Sequence, residues 1–148
     1  MPRNPLRFGR RLRRWFYTVF AVLFLSGVIW LALSLTQAAS ESDSEVRAAQ
    51  PALMKIHGAA AMASIFLLGV ILPLHIRRGW KSGRNRTTGS VMIGLCAVLI
   101  LSGYALYYAG GEQARHASAL LHDGLGLLLP TTLLWHIIVG RRARRVVH

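Results

Sequence analysis

His57-Gly-Ala-Ala-Ala-Met-Ala-Ser-Ile-Phe-Leu-Leu-Gly-Val-Ile-Leu-Pro-Leu-His75 is the stretch on which the fold turns. No charged residue separates its two histidines. A spacing of 18 is five turns of an α-helix, so both rings leave the helix on one face. They lie roughly 27 Å apart along the axis, close to the thickness of a bilayer's hydrocarbon core. An apolar helix with an imidazole near each end requires polar partners, and His122 and His136 supply them later in the chain.

Three further uncharged runs surround this one. Together the four occupy 15–40, 56–76, 87–111 and 117–140, the last broken only by Asp123. The 148 residues are 53% hydrophobic, and the mean hydropathy is +0.42. Each run is long enough to cross a bilayer as a helix, and none shows the alternation of a barrel strand. The expected fold is all-α, a transmembrane four-helix bundle with helices at about 15–37, 53–76, 88–109 and 117–140. A basic arm, 1–14, precedes a single membrane domain, 15–148.

The charge pattern sets the topology. The chain carries 18 Lys and Arg against five acids, a net charge of +13. Six of the bases lie in 1–14, five in 77–86 and four in 141–145, and none of the acids is there. Glu41, Asp43, Glu45 and Glu112 fall in the other two loops. Alternate loops are therefore basic, which puts both termini in the cytoplasm. Clustered in this way, the bases serve topology and anionic lipid, not nucleic acid. The first run also resembles a signal peptide, ending Thr36-Gln37-Ala38-Ala39, but its apolar part exceeds a signal core and a retained helix is expected. It contains no histidine and reads as scaffold. Trp15, Phe16 and Tyr17 at its start and Tyr104, Tyr107 and Tyr108 in the third run suit interfacial belts. Pro51 is placed to open the second helix and Pro73 to loosen its last turn. Thr87 or Thr88 is placed to cap the third. The two halves echo each other loosely, without a convincing repeat.

The chemistry lies in the histidines. The second and fourth helices run in the same direction, so His57 and His122 belong to the outer leaflet and His75 and His136 to the inner one. The spacing of 14 between His122 and His136 leaves their rings about 40° apart, still one face. Two such helices present two stacked imidazole pairs, an arrangement that holds two b-type haems, each iron bound by one histidine from each helix. No Cys-x-x-Cys-His is present, so the haems are non-covalent, and Cys96 stands alone as a small apolar residue. Gly58, Gly124 and Gly126 flank the outer pair with room for a flat macrocycle, or serve ordinary close packing. Lys55 and Arg115 outside, and Arg77, Arg78 and Arg141 inside, are placed for haem propionates or as topology charges. His116 lies about 160° from His136 around the helix and faces away. Four histidines spread along two helices do not converge on one zinc ion. Asp123 is a candidate proton acceptor or an acid favoured in an early helical turn.

With Leu-His-Asp-Gly-Leu-Gly at 121–126 and Trp-His-Ile at 135–137, this pattern resembles the small bacterial four-helix di-haem cytochromes b, relatives of the cytochrome b561 and formate dehydrogenase membrane-subunit group. The resemblance spans roughly 53–142. It implies a multi-pass protein of the bacterial inner membrane. It also implies an electron-transfer subunit of an oxidoreductase complex, working between quinone or quinol and a periplasmic or membrane redox partner. Two features depart from the family. The first helix supplies no histidine, and the spacing of 18 is wider than usual in quinol-oxidising cytochromes b. A stand-alone oxidoreductase acting on a small molecule such as superoxide, and a haem-free membrane scaffold, are the alternative readings.

Overall fold

The computed structural model describes residues 10–39, 44–83 and 85–145. Most of the basic arm, the loop acids Glu41 and Asp43, Arg84 and the terminal His148 lie outside the described residues. The fold is all-helical: α1 (Arg10–Ala39), α2 (Ser44–Ser82), α3 (Arg86–Tyr108) and α4 (Glu112–Arg145). All four are long and apolar enough to cross a membrane.

The helices outrun the apolar segments that announced them. α1 begins within the basic arm, at Arg10, and α4 already includes Arg115 and His116. The turn before α4 is correspondingly shorter than the expected loop. α2 starts at Ser44, well before Pro51, so proline does not open it, and it continues through Pro73. The physical reason is that charge does not end a helix. Arg, Gln and Glu are good helix formers, and only the need to leave lipid confines the apolar part.

The chain forms two compact units, Met1–Leu74 and His75–His148, with the boundary inside α2. In the first unit α1 meets the body of α2 in antiparallel fashion. Gln50 Nε2 donates to Ser34 Oγ at 3.3 Å, and further along His57 meets Ser26. Ala60 on α2 is the buried apolar residue among those described. Many large apolar side chains, such as Leu25, Phe66 and Leu101, are exposed. Outward-facing apolar side chains are what lipid requires, because hydrocarbon gives no reason to hide them.

In the second unit α3 and α4 pack as an antiparallel pair. Their register can be read from two contacts, Ser102 with His122 and Thr88 with His136. The hydroxyls are 14 residues apart on α3 and the histidines 14 apart on α4. Packed helices repeat every 3.5 residues, and 14 residues are then four whole turns, so both contacts fall on one seam. The turn from α2 into α3 is tight. Gly83 and Asn85 both take positive φ. Arg86 closes the turn by donating to the carbonyl of Trp80 at 2.6 Å, with its guanidinium 5.6 Å above the Trp80 ring. Neither Thr87 nor Thr88 caps α3. Its N-cap is Asn85, which makes no side-chain cap bond.

Candidate histidine seats

Three side chains of polar type are buried among the described residues: Ser26, Thr88 and Ser102, at 4%, 4% and 5% exposure. Each meets the Nδ1 of a different histidine on the neighbouring helix. None of the three was singled out as part of a site by sequence reasoning, which read α1 as scaffold and Thr88 as a candidate cap.

The first seat is on α1. His57 Nδ1 lies 3.0 Å from the carbonyl oxygen of Leu23 and 3.2 Å from Ser26 Oγ. The Ser26 hydroxyl donates back to the same Leu23 carbonyl, at 3.1 Å. Gly27 makes the approach possible, since a Cβ there would stand 2.9 Å from His57 Cε1 and 3.1 Å from Nδ1. A carbonyl can only accept, so Nδ1 carries the proton and the lone pair of the neutral ring falls on Nε2.

The second seat, on α3, repeats the first. His122 Nδ1 lies 3.1 Å from Leu99 O and 3.1 Å from Ser102 Oγ, and Ser102 donates back to Leu99 O at 3.2 Å. A Cβ on Gly103 would stand 3.2 Å from His122 Cε1. The two seats share a sequence: Leu23-Phe-Leu-Ser26-Gly27 and Leu99-Ile-Leu-Ser102-Gly103. A short sequence match therefore underlies the two seats. It is only five residues long and lies in helices without histidines, so a search centred on the histidines passes over it.

The third seat differs. His136 Nδ1 lies 2.8 Å from Thr88 Oγ1 and 3.3 Å from Asn85 Nδ2. Asn85 Nδ2 donates to the carbonyl of His136 at 3.0 Å, and not to Nδ1 when that nitrogen carries the proton. That bond turns Asn85 Oδ1 toward Thr88, whose hydroxyl donates to it. The hydroxyl oxygen is then the acceptor for His136 Nδ1–H, and Nε2 again holds the lone pair. His75 closes on the same ring, with the two centroids 5.9 Å apart and the planes at 61°.

The remaining predicted residues lie at the edges. His116 and Arg115 are exposed in the first turns of α4, and His116 lines a shallow recess with Glu112 and Gln113. Arg77 is exposed near the end of α2, and the side chain of Arg78 lies outside the described residues. A Cβ on Gly58, Gly124 or Gly126 would meet nothing within 4 Å, so none of the three is needed for helix contact. Asp123 is half-buried.

A histidine held through Nδ1 by a carbonyl or hydroxyl has its ring direction and tautomer set and presents Nε2 as a ligand. The donor chemistry of these seats fits haem iron, for which axial histidine is a common ligand. Among the described residues no three His, Cys, Asp or Glu side chains gather into an all-protein metal site. Comparison with family models, with curated proteins and with solved structures finds no match to this chain.

Proposed function

We propose that this chain is a b-type di-haem cytochrome of the bacterial inner membrane, an electron-transfer subunit working between the quinone pool and a redox partner protein. His57 and His122 are the ligands of the outer haem, and His75 and His136 those of the inner one. Both are bound without covalent attachment, in a four-helix bundle with both termini in the cytoplasm. The observation that carries the reading is that every buried polar side chain among the described residues is spent on the Nδ1 of one of these histidines. Burying a hydroxyl in an apolar helix pair is costly unless it is bonded, and a plain packing role would not select the same ring nitrogen three times.

Bound haem would supply reversible one-electron chemistry at iron. The chain's part is to hold the imidazoles in one tautomer, with Ser26, Ser102 and Thr88 behind them. Gly58, Gly124 and Gly126 leave space beside the ligands, and Arg115 and Arg77 are cations placed for propionates. The sequence carries no flavin, nicotinamide or iron–sulfur motif, which favours a subunit over a complete enzyme.

The purified chain should contain close to two protohaems, with a low-spin bis-histidine spectrum, and a quinol analogue should reduce them. His57→Ala and His122→Ala should each lose one haem, His75→Ala and His136→Ala the other, and His116→Ala neither. A haem content near zero, or a high-spin spectrum, overturns the reading. If quinol reduces neither haem while superoxide exchanges electrons with the isolated chain, a stand-alone oxidoreductase replaces the subunit.

A further inference from the structure

We infer that Asn85, acting through Thr88, is a positioning residue that tunes the reduction potential of the haem site at His136. The inference rests on the haem reading above. At His57 and His122 a main-chain carbonyl takes the Nδ1 proton directly, at 3.0 and 3.1 Å. At His136 the acceptor is a hydroxyl, which passes the interaction on to the Asn85 side chain.

Three local features converge on this one contact. Asn85 occupies the left-handed region, φ 56° and ψ 32°, a conformation asparagine tolerates better than most residues. It stands at the N-cap of α3, where asparagine ordinarily accepts a bond from the first turn of its own helix. Its side chain accepts no capping bond from a backbone N–H there, only the Thr88 hydroxyl. Its amide instead reaches across to α4, where a Cβ on Gly140 would stand 3.1 Å from Asn85 Nδ2. A cap forgone, a left-handed backbone and a glycine on the facing helix all serve the hydrogen bond behind His136.

The electrostatic consequence has a definite sign. An acceptor on Nδ1–H pushes electron density toward Nε2, makes the imidazole a stronger donor and favours the oxidised metal. The Thr88 hydroxyl gains strength as an acceptor by donating onward to Asn85. Removing Asn85 weakens Thr88 as an acceptor and raises the potential of the site at His136.

The test is a potentiometric titration of the full chain in lipid nanodiscs, followed by haem absorbance. The wild type should titrate in two waves. Asn85→Ala should move one wave upward and leave the other in place, with both haems retained. Thr88→Ser, which keeps the hydroxyl, should leave both waves where they were, while Thr88→Val should repeat the Asn85→Ala shift. Two retained haems with unmoved waves in Asn85→Ala overturn the inference and leave the haem reading standing. A wild-type chain that binds no haem overturns both. Nitrogen NMR of the haem-free chain gives a separate readout. His136 should be protonated at Nδ1, and a ring protonated only at Nε2 overturns the inference whatever the variants do.

Discussion

At the scale of the residue, a glycine decides whether each serine seat exists. An alanine at Gly27 puts its Cβ 2.9 Å from His57 Cε1, inside any ordinary contact, and one at Gly103 puts it 3.2 Å from His122 Cε1. The ring must retreat from its carbonyl or the helices must part, and overpacking of this kind costs about 1–3 kcal/mol. Gly27→Ala should lower the thermal midpoint more than Gly103→Ala, and both should lower haem content. Gly58→Ala is the contrast. Its Cβ meets no neighbour, and alanine favours a helix over glycine by about 1 kcal/mol. The fold should hold or gain in a melt monitored by circular dichroism. Any haem lost from that variant would then reflect the macrocycle, not the helices. Gly27 and Gly103 could not be told from other membrane-helix glycines in advance, because what marks them is an atom on a different helix.

At the scale of the element, the turn between α2 and α3 carries more than connectivity. Gly83 at φ 66° and Asn85 at φ 56° both sit where a side chain is strained. Arg86 ties the turn back to the Trp80 carbonyl. Gly83→Ala should cost about 1–2 kcal/mol, the strain of a left-handed residue with a Cβ, read as a lower midpoint in thermal or denaturant unfolding. An unchanged midpoint would mean the turn relaxes without loss. The sequence marked this segment as a turn through Gly, Ser and Asn, and rightly as basic. It did not reveal that Asn85 and Thr88 look across to α4. Thr88 met every local criterion for a helix cap, and cap and cross-helix contact draw on the same hydroxyl. Local propensity ranks the first option, and only the facing helix makes the second available.

At the scale of the molecule, charge predicts orientation. Fifteen of the 18 Lys and Arg lie in 1–14, 77–86 and 141–145, and no acid accompanies them. A phosphatase reporter fused after His148 should be inactive in the periplasm, and a fluorescent one should mature in the cytoplasm. A periplasm-active fusion at that site would reverse the proposed sides of the two haems.

The sequence by itself determined four apolar helices, their order, the alternation of basic loops and the histidines worth watching. These follow from properties that each residue carries alone: side-chain hydropathy, charge, and a helical period that lipid enforces by forbidding unpaired backbone. The tertiary structure decided which atoms stand behind those histidines. Leu23 O, Ser26, Leu99 O, Ser102, Thr88 and Asn85 acquire their roles only when a second helix arrives in register. The matched 14-residue spacings on α3 and α4 were visible in the chain, but serine and threonine are common in membrane helices and bond equally well to their own backbone. What turns such a hydroxyl into part of a site is the approach of an imidazole within about 3 Å, and that distance belongs to the packing of helices.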